Sequence, residues 1–312
     1  MIQGYYTKAS RIKKCEEQEE AQWLHLFSPS KEEILEVSRT YGFPKDYLTN
    51  VLDSDEIARY EFKSDSSAAL VTLLYPFKIR NKMGMTGYDA QPFSIVLTDK
   101  LIITASASLP SFFDDLLTND YVENLADQES FVLEVAWLIS YTYILYLKEI
   151  SQGIKALEEE SVISNKNRQL YRLLTLKKSL VFIDAATKSN QPVFQGIKST
   201  DVFSKGGKAK KLLLNMDNEN RQAEMMIQQY HQLLEQIGDL FSSIISNRLN
   251  NLMKVLTSVS IILTVPAIIG ALWGMNVRLP FEKTPFAFWI LVGITVAIST
   301  AVGMILKKKD YF

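Results

Sequence analysis

"VLTSVSIILTVPAIIGALWGMNVRLPFEKTPFAFWILVGITVAISTAVGMIL" (255–306) is two apolar runs joined by a short polar link. No charge lies between Lys254 and Arg278, and none between Lys283 and Lys307. Each run clears the ~20 residues that cross ~30 Å of hydrocarbon. Two buried core helices of a soluble domain would need more partner surface than this C-terminal region offers. "RLPFEK" (278–283) is short, so the two spans are expected to form an antiparallel hairpin. "KKKD" (307–310) follows the second span, and lysines at that boundary favour the cytoplasmic side. The N-terminal "MIQGYYTKASRIKKCEEQEE" (1–20) shows no basic segment followed by an apolar one, so no signal peptide is read there. The expectation is a multi-pass protein of the cell membrane with both termini in the cytoplasm. "GMN" (274–276) then lies at the outer mouth.

Two helices enclose no lumen, so any conducted path requires several copies around an axis. In the first span, spacings of three and four pick out Met253, Thr257, Ser260, Thr264, Ala267, Ala271 and Gly274, mostly small or hydroxylated. Small residues also serve tight helix packing. The stripe continues inward, however, through Asn250, Ser246, Ser242, Asp239, Glu235, Gln232 and Gln228. On the other side run Met226, Tyr230, Leu233, Ile237, Leu240 and Ile244. No proline interrupts the segment from about Lys208 until Pro266. One helix of that length approaches ~100 Å at ~1.5 Å per residue. A polar stripe running from a cytosolic stalk into a span reads better as a channel wall than as packing alone.

The remaining sequence narrows the function by exclusion. Lys plus Arg number 34 and Asp plus Glu 35, a formal net charge of −1, which argues against general nucleic-acid binding. Cys15 is the only cysteine, so neither an intrachain disulfide nor a thiolate zinc site can form. His25 and His231 lie far apart and read as packed or solvated histidines. "EEQEE" (16–20) and "LEEE" (157–160) read as solvated acidic faces. No Walker loop, dinucleotide glycine fingerprint or Ser/His/Asp constellation is present, so nothing supports an enzyme.

Before the stalk, "QWLHLF" (22–27), "ARYEFKS" (58–64), "AALVTLLYPFKI" (68–79), "FSIVLT" (93–98) and "LIITAS" (101–106) read as strands. "SKEEILEVSRTYG" (30–42) opens with the capping box Ser30/Glu33 and ends in glycine, which predicts a helix. A long helical pattern runs from Glu129 to about Lys188. "KSNQPVFQG" (188–196) and "SKGGK" (204–208) read as punctuation before the stalk. The fold class expected is an α/β cytosolic domain plus a long stalk helix and two C-terminal transmembrane helices. The divisions expected are a cytosolic α/β domain with a helical arm (1–205), a stalk (206–252), a pore-lining span (253–277), an outer loop (278–285), a second span (286–306) and a basic tail (307–312).

With "GMN" ending the first of two C-terminal spans, the chain resembles the CorA magnesium transporter family. "DLFSSIISNRLNNLMKVLT" (239–257), "TVPAIIGALWGMNVRLP" (264–280) and "KKKDYF" (307–312) are similar to its stalk-to-membrane segment, first-span end and basic tail. "DSDEIARYEFKSDSSAALVTLLYPF" (53–77), "FSIVLTDKLIITAS" (93–106) and "LKKSLVFIDAATKSNQPV" (176–193) resemble its α/β domain and helical arm. The resemblance implies a funnel-shaped homopentamer with five long helices lining the pore. It implies that Gly274, Met275 and Asn276 form the outer selectivity element and that Asn250, Met253 and Leu256 lie on the inner pore. Thr257, Ser260, Thr264, Ala267 and Ala271 join them from the stripe. Asp239 would form an acidic ring in the stalk and hold metal there. Two departures from the family pattern stand out. The outer loop carries Arg278 and Lys283 around the single Glu282, where many members are acidic, and Trp273 stands where Tyr or Phe is usual.

Mg²⁺ demands octahedral oxygen at about 2.0–2.1 Å and gives up water reluctantly. A carboxylate ring would hold it too strongly to conduct. Asn276 carboxamides can instead accept hydrogen bonds from the ion's own waters, and Gly274 permits close backbone approach. The expected cargo and regulator is Mg²⁺, with Co²⁺ and Ni²⁺ also in view, and no cofactor beyond it. The expected partners are further copies of the chain, the bilayer and divalent cations. Asp53, Asp55, Glu56 and Asp89 are weaker candidates for regulatory metal between subunits. Two alternatives stay open: a zinc or transition-metal carrier of the same superfamily, and a non-conducting membrane-anchored coiled-coil scaffold or sensor.

Overall fold

The computed structural model describes residues 1–8, 11–15, 20–61, 68–118, 124–160, 166–200, 207–275 and 285–309. Asn276, Arg278, Glu282 and Lys283 lie outside the described residues. The chain divides into two compact units, Met1–Gln236 and Ile237–Phe312.

The first unit is built on a seven-stranded mixed sheet of order β2-β1-β3-β7-β6-β5-β4. Its strands are β1 (Ile2–Lys8), β2 (Arg11–Cys15), β3 (Trp23–Phe27), β4 (Arg59–Glu61), β5 (Ala68–Arg80), β6 (Thr86–Thr98) and β7 (Ile102–Ser106). Among the described strands only β3 and β7 pair in parallel. The five strand runs expected from the sequence each fall on one of β3 to β7, although β6 begins seven residues before its run, at Thr86, whereas β1 and β2 went unread. "IQGYYTK" and "RIKKC" are short and polar in part, and their signal is weak until β1 is seen bridging β2 and β3.

Alternation sends the residues of β3 to two different cores. Leu24 and Leu26 join Ile34, Val37, Leu48, Val51, Leu70, Val96 and Ile103 under α1 (Lys31–Tyr41) and α2 (Asp46–Thr49). Trp23 and His25 face the other way and meet Phe113 of α3 (Phe113–Thr118), with centroids at 5.4 and 4.6 Å. Phe131 of α4 (Gln128–Glu160) lies edge-on to Trp23 at 5.0 Å. Helices on both faces explain why "WLHLF" is nearly continuous in apolar residues. The helix α1 has the expected cap: Glu33 N donates to Ser30 Oγ at 3.2 Å, Ser30 N to Glu33 Oε2 at 2.8 Å, and Gly42 closes it at φ 73°.

The long helical region is two helices, α4 and α5 (Lys166–Ser199). The punctuation expected at "KSNQPVFQG" is overturned, since α5 runs through it with Pro192 on an exposed face. Its polar and small residues serve contacts instead. Asn190 accepts from Leu74 N and donates to Leu74 O, both at 2.8 Å, which satisfies β5 beyond the end of β4. At Gly196 an added Cβ would lie 2.3 Å from the Tyr60 ring, so the glycine allows α5 to cross β4 closely. "SKGGK" lies mostly outside the described residues; α6 (Gly207–Trp273) begins at its second glycine.

The second unit holds the last part of α6 and α7 (Ala287–Lys308). α7 has 22 residues, ~33 Å at ~1.5 Å per residue, enough to cross the hydrocarbon. Ile262 of α6 packs on α7, its Cδ1 lying 3.8 Å from the position a Cβ would take at Gly303. The packed face of α6 carries Ser258, Ile262, Val265, Ile269 and Trp273, and that of α7 carries Leu291, Thr295, Ser299 and Leu306.

Candidate pore-lining face

Among the described residues three helices are long and apolar enough to cross a membrane, and burial separates them. The apolar window of α4 is 83% buried inside the first unit, against 6% for α6 and 0% for α7. α4 is therefore a core helix, while α6 and α7 present apolar side chains outward with no protein to cover them. Leu263, Ile268, Trp289 and Met304 are all more than half exposed. Such surface is stable in lipid and not in water.

α6 carries the sequence stripe, and every member is exposed. In the first unit Gln228, Gln232 and Glu235 face away from the buried side of α6, which holds Leu212, Met216, Ala223, Ile227, Tyr230 and Leu234. In the second unit Asp239, Ser242, Ser246, Asn250, Met253, Thr257, Ser260, Thr264, Ala267, Ala271 and Gly274 are likewise exposed. Taken at ~100° per residue, the centre of this stripe lies about 160° round the helix from the face that packs on α7. Leu256, 61% exposed, stands on the flank of the stripe rather than on its crest.

Two hydroxyls on this face have a defined polarity. Ser260 Oγ donates to Leu256 O at 2.9 Å, and Thr264 Oγ1 donates to Ser260 O at 2.7 Å. Each proton is thus spent on the helix's own carbonyl. The hydroxyl lone pairs are left, so the stripe offers acceptors to any donor in front of it. Water molecules held by a divalent cation are such donors. This polarity was not legible from spacing, because a serine in a helix can equally turn its proton outward.

At the end of α6, Gly274 N donates to Gly270 O at 3.0 Å and Met275 N reaches Leu272 O at 3.4 Å. A Cβ at Gly274 would meet only ordinary contacts, the nearest being Gly270 O at 3.4 Å. Among the described residues nothing therefore demands glycine at 274. Met275 is 54% exposed, and Asn276 falls outside the described residues.

The weaker acidic candidates all belong to the first unit. Asp53 Oδ1 accepts from Asp55 N at 2.9 Å within a turn, Glu56 lies 3.7 Å from Arg59, and Asp89 is on β6. Among the described residues no group of three or more His, Cys, Asp or Glu side chains converges on a common point. His25 is buried between Thr104 and Ser106, and burial, with the N-terminal ammonium, lowers its pKa to about 3. It is a neutral core residue.

The profile of the CorA-like Mg²⁺ transporter protein family matches residues 18–308. The chain belongs to this family. As a CorA-family protein it is a membrane transporter of divalent cations and not an enzyme. The cobalt/magnesium transport protein CorA of Methanocaldococcus jannaschii is 22% identical over 300 residues, covering 93% of this chain and 90% of that protein. The complete structure of the CorA magnesium transporter from that organism covers 100% of this chain and 99% of its own at 20% identity, with a TM-score of 0.80. The ZntB cytoplasmic domain of Vibrio parahaemolyticus matches 78% of this chain and 98% of its own at 12% identity, with a TM-score of 0.55. At these identities the structural likeness is one of fold. The CorA fold here is thus a mixed α/β sheet with long helices and two apolar C-terminal helices.

Proposed function

We propose that the chain assembles as a homopentamer whose five α6 helices surround an axial path for hydrated Mg²⁺, with Co²⁺ and Ni²⁺ as further cargo. The supporting observation is the exposed polar stripe, which lies opposite both the buried side of the stalk and the face that packs on α7. Copies of the chain placed around an axis would cover that stripe and leave the apolar faces to lipid. The number five is what the family resemblance implies.

In this reading Gly274, Met275 and Asn276 form the outer ring, and Asn276 amide oxygens accept hydrogen bonds from the ion's water shell. An amide ring recognises size and bonding geometry without the grip of five carboxylates, so the ion can leave. Gly274 fits because close approach between copies would favour a residue without a side chain there. Below it, the Ser260 and Thr264 oxygens continue the same acceptor chemistry, and Asn250 and Met253 line the inner segment with Leu256 at its flank. Asp239 forms a stalk ring. Mg²⁺ bound between cytosolic carboxylates of neighbouring copies favours the closed state when internal Mg²⁺ is plentiful. Both termini lie in the cytoplasm, on the side of Lys307, Lys308 and Lys309.

The test is Mg²⁺ uptake into proteoliposomes carrying the purified protein, alongside the mass of the detergent-solubilised particle. Asn276→Ala should abolish uptake and leave the particle mass unchanged. A variant that transports at the wild-type rate removes the role given to Asn276. A monomer or dimer that still transports removes the pentamer.

A further inference from the structure

A cleft of about 1160 Å³ opens in the first unit between the far end of the β5–β6 hairpin and helices α4 and α5. Its chemistry is one-sided. Lys78, Arg80, Arg168 and Arg172 line it, and Glu149 is the one carboxylate among the described lining residues. An excess of three positive charges thus gathers in a chain whose net charge is −1. Glu149 is already engaged on both oxygens: Lys78 Nζ donates to Oε1 at 2.8 Å and the Tyr88 hydroxyl to Oε2 at 2.7 Å. Burial would raise this carboxyl, but those two bonds outweigh it and hold it below its usual range. Arg80 and Arg168 pair with no carboxylate among the described residues.

The cations come as two pairs, one on β5 and one on α5. Lys78 and Arg80, two apart on β5, project from one face of the strand. Arg168 and Arg172, four apart on α5, share one face of the helix. The hairpin is fastened in this position. Asn81 Nδ2 donates to Thr175 Oγ1 at 3.1 Å and Tyr88 N to Ser179 Oγ at 2.9 Å, while Asn81 Oδ1 accepts from Met83 N and Met85 N within the turn. Like charges held together by a rigid frame repel one another, and that cost is recovered when an anion enters.

We propose that this cleft is a binding site for a nucleoside di- or triphosphate. Guanidinium forks match phosphate oxygens bidentately, and several of them suit a ligand with more than one phosphate. The volume exceeds what a single phosphate fills and is of the order of small-molecule pockets, ~300–1,000 Å³. Met83, Met85 and Leu176 line the same cleft and supply apolar surface for a flat base. The site lies wholly in the first unit and stands or falls independently of the pore.

The experiment titrates the full-length protein in detergent, in EDTA without divalent cations, with ATP, inorganic tripolyphosphate and adenosine as separate probes, by isothermal calorimetry. ATP and tripolyphosphate should bind and adenosine should not, with ATP the tighter of the first two. Arg80→Gln and Arg168→Gln should each weaken ATP about tenfold, as expected for loss of one charge-assisted contact. Lys100→Gln, outside the cleft, should leave it unchanged. Arg80→Lys and Arg168→Lys should fall in between, since they retain charge without the fork. Absence of binding by both phosphate probes overturns the proposal. So does equal weakening by Lys100→Gln, or displacement of ATP by phosphatidylglycerol at matched phosphate concentration, which would give the cleft to a lipid headgroup.

Discussion

Single residues carry roles here that their types do not announce. Asn190 lies in a stretch that reads as punctuation, yet it is buried at 1% exposure and gives β5 a side-chain substitute for a missing neighbour strand. Leu74 lies past the last β4 pairing, so its N–H is left to Asn190 and its C=O to Asn190 and the Tyr143 hydroxyl. Asn190→Leu should therefore cost about 2–4 kcal/mol, two lost bonds and a bared backbone N–H, and lower the thermal midpoint of the purified protein clearly. An unchanged midpoint would refute that account. His25 makes a pH prediction. Trp23 Nε1 donates to Thr104 Oγ1 at 2.8 Å, and Thr104 Oγ1 lies 2.8 Å from His25 Nδ1. With its pKa lowered from 6.5 to about 3, the folded imidazole stays neutral where the unfolded one takes a proton. The stability it contributes is whole above about pH 6.5 and is lost as pH falls toward 3. Unfolding measured between pH 7 and 4 should show this slope, and His25→Gln should flatten it; an equal slope in the variant would assign the pH dependence elsewhere.

At the scale of elements, α6 has the most to test. Its periodicity was open to two readings, tight packing or a wet face, because small and hydroxylated residues serve both. The packed face is now seen to be the other one, through Ser258, Ile262, Val265 and Ile269. If the stripe faces hydrated cations, Thr264→Val keeps the shape and removes an acceptor. Mg²⁺ uptake should then fall about two- to tenfold, the worth of one hydrogen bond, with particle mass unchanged. Uptake at the wild-type rate would mean that Thr264 faces lipid or a neighbouring helix. The strands show a similar division. β3, β5, β6 and β7 are buried on both faces, and their apolar content made them readable. β1 and β2 sit toward one edge with mixed composition, and only pairing reveals them.

For the molecule as a whole, the proposed feedback predicts ligand linkage. The full-length protein should gain thermal stability and protease resistance over a millimolar Mg²⁺ titration, and not over a monovalent titration at matched ionic strength. Equal behaviour in the two salts would leave Mg²⁺ without a regulatory site. The sequence by itself determined the two C-terminal apolar helices, the α/β composition of the first unit and membership of the CorA family. Those depend on length, hydropathy and motif, which belong to the residues whatever they touch. Tertiary structure decided that α4, apolar enough to span, belongs to the core, while α6 and α7 keep their apolar surface outside. It decided that "KSNQPVFQG" continues a helix, because Asn190 has a strand to bond and Gly196 a ring to clear. It also brought Lys78 and Arg80 into one cleft with Arg168 and Arg172, about 90 positions away in sequence. Hydropathy is a property of a residue, whereas burial and charge convergence are relations between residues, set only when the chain has folded.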